Sequence, residues 1–189
     1  MDMQYIIREL AEEDFLPLFN LHKKSAFEGT HNYHSQDVLT ENEHKRLKGL
    51  SEHGGTFYRL HLGVFDADNT FVGWSWGYQE SSSTFYMVNS AVLDAHRRKG
   101  LYSALIGKYL DILSQKGFQL IYSRHCATNN AVIIPKLKAG FIISKMEIDD
   151  RFGVLIHLHF YTNKTRRKIM DYRSGQLKPD AEIKKLFGL

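Results

Sequence analysis

Residues 92–105 read Val92-Leu93-Asp94-Ala95-His96-Arg97-Arg98-Lys99-Gly100-Leu101-Tyr102-Ser103-Ala104-Leu105. An apolar run ends at Leu93, a short basic loop turns at Gly100, and a helical pattern starts at Leu101. Leu101, Leu105, Tyr109 and Leu113 recur every fourth residue, and Ile106, Leu110 and Ile112 widen the stripe. The spacing predicts a helix over 101–116, stopped by Gly117. The first backbone amides of such a helix have no internal partner, and with the helix dipole they attract an anion. Arg97, Arg98 and Lys99 add positive charge, and Gly100 lets the backbone approach an oxyanion closely. Strand, glycine-turned basic loop and helix in this order make a phosphate cradle. A surface loop that merely caps a helix shares the pattern. Neither G-x-x-x-x-G-K-[ST] nor G-x-G-x-x-G occurs in the chain, so this is not one of the common nucleotide loops.

Upstream, three strands are predicted over 57–65, 70–79 and 84–93. Turns at Asp66-Ala67-Asp68-Asn69 and Ser81-Ser82-Ser83 join them into an antiparallel meander. The middle strand alternates, with Gly73, Ser75 and Gly77 on one face and Val72, Trp74, Trp76 and Tyr78 on the other. Before them come a strand over 5–10, a helix opening on Ala11-Glu12-Glu13-Asp14, a polar aromatic loop over 27–36 and a charged helix over 37–52. Downstream, the pattern gives a strand over 118–126 and a short helix over 129–139, interrupted by Pro135. A closing strand pair follows over 141–148 and 154–161. Strands and helices mix throughout, which is the signature of an α/β (α+β) domain.

The chain has 189 residues, 43% hydrophobic and 24% charged. That composition suits one globular domain and excludes disorder. A single cysteine, Cys126, excludes an intrachain disulfide. No uncharged apolar run reaches the length of a membrane span, and no secretory signal is visible, so a cytoplasmic location is expected. The net charge of +4 sits at the end: residues 164–189 hold eight Lys/Arg against three Asp/Glu. The expected organisation is one domain over 1–162 and a basic, helical tail over 163–189. A basic tail suits nucleic acid or an acidic partner, but no recognition motif accompanies it, and a solvated terminal helix is the plainer reading.

The cradle segment resembles the acyl-CoA signature of the GCN5-related N-acetyltransferases (GNAT), [Q/R]-x-x-G-x-[G/A], here Arg97-Arg98-Lys99-Gly100-Leu101-Tyr102. The family's second motif, an asparagine before a helix that ends in Gly-Phe, is matched by Asn129 and Gly140-Phe141. The element order agrees up to about Tyr161. The resemblance implies a mixed, mostly antiparallel central sheet with helices on both faces, splayed between its fourth and fifth strands. It implies acetyl-CoA as co-substrate, with no metal. Backbone amides from Arg97 to Ser103 would hold the pyrophosphate, taking in Arg98, Lys99, Gly100, Leu101 and Tyr102. Backbone groups at Val92 and Leu93 would pair with the pantetheine arm, and Asn129 would bond its thiol end. The implied reaction is direct attack of an amine, on a small molecule or peptide, within a ternary complex. His31 and Tyr33, in the loop with Asn32 and His34, fall where the family's acceptor sits. A monomer or homodimer is expected, without membrane or nucleic acid as partner. A non-catalytic acyl-CoA-binding module and a nucleic-acid-associated protein are the competing readings.

Two departures stand out. Tyr102 replaces the signature's last small residue, so its ring must turn away from the phosphates. Lys136 occupies the slot, seven residues after Asn129, where the family often has a tyrosine that protonates the departing thiolate. An unperturbed lysine is a weaker acid than a thiol. Only burial beside the Arg97–Lys99 cations would lower it enough to serve, so Lys136 is expected to be inessential as an acid, leaving a phosphate contact or a solvent-facing position. No general base is identifiable, with Glu80, Asp94, His96 and His125 all eligible. Gly73-Trp74-Ser75-Trp76-Gly77 matches G-x-S-x-G but lies mid-strand, where a nucleophile elbow cannot form. His157-x-His159 places two imidazoles on one face without further metal ligands at suitable spacing. His125 and Cys126 are adjacent on a strand and should face opposite ways.

Overall fold

The computed structural model describes residues 4–27, 41 and 57–189. His31 and Tyr33, and all of the helix expected over 37–52 except Glu41, lie outside the described residues. The elements are β1 (Ile6–Glu9), α1 (Glu12–Ala26), β2 (Arg59–Phe65), β3 (Phe71–Gln79), β4 (Thr84–Val92), α2 (Leu101–Gln115), β5 (Leu120–Cys126), α3 (Asn130–Lys138), β6 (Ile142–Asp149), β7 (Gly153–Tyr161), α4 (Lys164–Arg173) and α5 (Ala181–Phe187). A single 3₁₀ turn, Asp94–His96, joins β4 to the loop before α2. The sheet runs β1-β2-β3-β4-β5-β7-β6. Every neighbouring pair is antiparallel except β4 and β5, which the crossover through α2 makes parallel.

The apolar stripe of α2 buries Leu101, Leu105, Ile106, Tyr109 and Leu113 against one sheet face, where Leu60, Leu62, Val64, Phe85, Met87, Ile121 and Leu158 meet it. α3 adds Ile133 to the same core. On the other face α1 packs Phe15, Leu18 and Phe19 against Phe65, Phe71 and Trp74. Helices thus cover both faces. Gly77 makes the close approach of α2 feasible: a Cβ there would lie 2.2 Å from the Tyr86 carbonyl oxygen and 2.7 Å from the Tyr109 hydroxyl.

Two irregularities bend the sheet. The β2–β3 ladder pairs Val64 with Gly73 and Phe65 with Phe71, skipping Val72. That bulge turns Val72 into the core beneath α2 rather than onto the tryptophan face that strict alternation predicts. The β3–β4 ladder pairs Gly77 with Met87 and Trp76 with Asn89, skipping Val88.

The pairing of β4 with β5 is short. It covers Thr84–Leu120, Phe85–Ile121 and Tyr86–Tyr122 and then stops. Past Tyr86 and Tyr122 the two strands diverge, β4 continuing to Val92 and β5 to Cys126. The resulting gap opens toward the N-terminus of α2.

α3 runs unbroken through Pro135, contrary to the interruption expected there. The basic tail forms α4 and α5 and packs down rather than standing in solvent. Ile183 is buried, and the Arg167 guanidinium donates to the Gly140 carbonyl at 2.5 Å. Lys168 pairs with Asp180 and Glu182 at 2.6 and 2.7 Å, so part of the tail's charge is met internally. Among the described residues, no helix is long and apolar enough to cross a membrane.

Candidate functional site

The loop between β4 and α2 is built from two left-handed residues, Arg98 (φ 62°) and Gly100 (φ 76°). Gly100 is the N-cap of α2, and no atom lies within 4 Å of where its Cβ would be. The first helical bond runs from the Ala104 amide to the Gly100 carbonyl, 3.0 Å. The amides of Leu101, Tyr102 and Ser103 therefore have no helical acceptor and point out of the helix end. The Arg97 amide instead closes the preceding 3₁₀ turn onto the Asp94 carbonyl, 3.2 Å. Lys99 Nζ donates to the Tyr5 hydroxyl at 3.0 Å, and that hydroxyl meets His96 Nδ1 at 3.1 Å. Tyr5, just ahead of β1, thus fixes one wall of the loop. The Tyr102 ring packs inward against the core and burial pushes its phenol well up, which clears the helix end.

Along β4 the Leu93 amide donates to the Val72 carbonyl at 2.9 Å and is committed to the sheet. By antiparallel alternation, the Val92 amide and carbonyl then face away from β3, into the gap. In this structure the Val92 carbonyl accepts from Arg97 Nε at 3.0 Å, and Arg97 Nη2 also pairs with Asp94 at 2.8 Å. Asn129 is the exposed N-cap of α3, at the end of the gap where β5 finishes.

Where the β4–β5 ladder stops, Lys136 of α3 reaches in. It is buried, with 1% of its surface exposed. Its Nζ donates to Ser123 Oγ at 2.6 Å and lies 3.4 Å from Met87 Sδ, 4.8 Å above the Phe141 ring. Met87 and Ser123 each follow the last paired residue of their strand. Burial lowers the ammonium from its ordinary 10.5 to about 7. The expectation of an unperturbed, solvent-facing lysine is therefore corrected. Burial alone, without the cations at 97–99, makes it a neutral-range acid. Sequence spacing singled the residue out but carried no sign of its burial. Ser123 Oγ also meets His125 Nε2 at 2.9 Å. Burial, reinforced by the nearby Lys136 charge, lowers His125 to about 3 and keeps the ring neutral.

The opposite sheet face carries a polar aromatic group that sequence reading missed. Glu147 accepts from His157 Nε2 and from Arg124 (3.1 Å), and Arg124 donates to the Tyr86 hydroxyl at 3.3 Å. Tyr122 stacks on His157 and donates to Glu80 at 2.5 Å. Only the alternation of β5 and β7 could have pointed to it. The remaining decoys have ordinary roles. Ser75 is buried and accepts from Ser90 at 2.8 Å, and Cys126 points away from His125 toward the Phe152 carbonyl. Among the described residues, no group of three or more His, Cys, Asp or Glu could hold a metal ion.

An open strand edge, a helix N-terminus with free amides and a flanking basic loop fit a long anionic ligand with an amide-bearing arm. The profile of the acetyltransferase (GNAT) family matches residues 7–141. A comparison with curated proteins finds no match. Among solved structures, the ribosomal-protein-S18-alanine N-acetyltransferase of Escherichia coli superposes with a TM-score of 0.60 at 16% identity, covering 85% of this chain and 95% of its own. The phosphinothricin acetyltransferase of Sinorhizobium meliloti, solved with acetyl-CoA, gives 0.60 at 12% identity, covering 84% and 89%. The spermidine N-acetyltransferase of Vibrio cholerae, solved with CoA and spermine, gives 0.59 at 15% identity, covering 84% and 96%. These likenesses show the fold, and with the family profile spanning most of the chain, they make this protein a member of the acetyltransferase (GNAT) family.

Proposed function

We propose that this protein is an acetyl-CoA-dependent N-acetyltransferase acting on an amine of a small molecule or peptide, through a domain spanning residues 1–162. The observation that carries this reading is the unpaired edge of β4 running straight into the left-handed Gly100 and the open helix end. The five residue steps from Met87 to Val92 span about 17 Å at the rise of a strand, which matches an extended pantetheine arm. Amides of Leu101, Tyr102 and Ser103 would hold the diphosphate, and Arg98 and Lys99 would offset its charge. The Val92 amide and carbonyl would pair with the arm, once Arg97 has withdrawn from that carbonyl. Asn129 would close over the arm from the far wall. Bound there, acetyl-CoA supplies an acyl group activated as a thioester. The chain contributes alignment of that group with the acceptor nitrogen, a large source of rate in such transfers.

The test is binding followed by turnover. Acetyl-CoA at about 100 times its dissociation constant should add about 2.7 kcal/mol of stability and raise the melting temperature by several degrees, whereas acetate should not. A panel of amines screened for acetyl-CoA-dependent thiol release then identifies the acceptor. No thermal shift at saturating acetyl-CoA would overturn the proposal.

A further inference from the structure

The chain Lys136–Ser123–His125 starts at the closed end of the gap and leads outward along β5. Its members come from two elements, α3 and β5, and its inner end touches β4 through Met87. On the acetyltransferase reading, the thiol end of the arm lies at this closed end. We propose that these three side chains form a proton wire: Lys136 Nζ protonates the leaving sulfur, and Ser123 and His125 return a proton to Lys136 for the next turnover.

The balance is as follows. The acceptor nitrogen's lone pair forms the C–N bond, and the C–S bond breaks with its electron pair going to sulfur. Lys136 Nζ gives that sulfur one proton and is left as a neutral amine. The nitrogen sheds one proton to solvent. His125 Nε2 then gives its proton to Ser123 Oγ as that hydroxyl gives its own to Nζ, and His125 Nδ1 takes one proton from solvent in the same step, so the ring changes tautomer and stays neutral. An acid at about 7 donates downhill to a thiol near 8.5. Of the groups packed around the ammonium, Met87 and Phe141 do not titrate, and His125 is the titratable neighbour whose charge is coupled to it.

Nuclear magnetic resonance of protein carrying ¹³C-labelled lysine tests the inner end without any acceptor. One Cε resonance, missing in Lys136→Met, should titrate near neutral pH. CoA should move it, while the nucleotide half of CoA alone, 3′-phosphoadenosine 5′-diphosphate, should not. A Lys136 signal that ignores CoA, or that moves with the nucleotide half, overturns the assignment. Failure of CoA to perturb any resonance would instead overturn the acetyltransferase reading itself. Kinetics with the identified amine test the rest. Lys136→Met should lower kcat by roughly 10² to 10⁴ with acetyl-CoA affinity kept, and a fall within tenfold refutes the donor. Ser123→Ala keeps the donor and cuts its return path. It should give a burst of one equivalent of thiol, followed by slow turnover. Equal first and later turnovers would remove Ser123 and His125 from the wire.

Discussion

Replacing Lys136 by methionine should make the protein more stable, and the gain should depend on pH. The ammonium is fully enclosed and its ionisation falls from 10.5 to about 7. At about 1.4 kcal/mol per pH unit, this is a cost of roughly 5 kcal/mol for holding the charged form inside. The unfolded chain keeps its proton up to about 10.5, whereas the folded one releases it near 7. Below pH 7 both states are protonated and the whole cost is felt. Between 7 and 10.5 the unfolded state binds more protons, so wild-type stability climbs with pH. Methionine follows the aliphatic stem of lysine and carries no charge. Ser123 Oγ keeps its contact with His125, so little polarity is orphaned. Urea unfolding at pH 6 should show Lys136→Met more stable by about 3 to 5 kcal/mol, with the two proteins converging by pH 10. A variant less stable than wild type at pH 6, or two curves parallel across that range, would refute the reasoning. The expected trade of activity for stability is the usual mark of a strained functional group.

Two further outcomes follow from the site. Gly100→Val should cost only about 1–2 kcal/mol of stability, the left-handed penalty of a side chain, because the space around it is open. It should nevertheless weaken CoA binding by roughly a hundredfold or more, about 2.7 kcal/mol, and calorimetry showing unchanged affinity would move the cradle elsewhere. In acid, His125 (about 3) and His159 (about 4) stay unprotonated in the folded state while the unfolded chain takes up protons from about 6.5 downward. Stability should therefore fall as pH drops from 6.5 toward 4, and the pair His125→Gln and His159→Gln should flatten that fall; an equal slope in denaturation profiles would exclude it.

The glycine-turned basic loop and the helix after it were legible because their determinants are local. A glycine with positive φ and the first turn of α2 lie within ten residues of each other, and an apolar stripe announces the helix. Val72 was misassigned because a bulge resets strand parity, and nothing in the residues 70–79 marks which one is skipped. Lys136 was singled out by its distance from Asn129, but its burial depends on how α3 sits across the end of the β4–β5 ladder. That is a long-range property of three elements. The Glu147, Arg124 and His157 group was invisible for the same reason: it assembles from β5, β6 and β7 only once their register is known.

The three residue pairs joining β4 to β5 also have a mechanical meaning. The sheet divides into two longer ladders, β1 to β4 and β5 to β6, joined by pairing only at Thr84–Tyr86. Any rotation of one ladder against the other is magnified with distance from that junction. Val92 stands about six times farther from it than Met87 does, at the constant rise of a strand. A small change of angle between the two ladders would therefore displace the mouth of the gap far more than the junction. Lys136 sits beside that junction, where its contacts to Ser123 and Met87 lie one residue from the last paired positions and so are the least exposed to any such change.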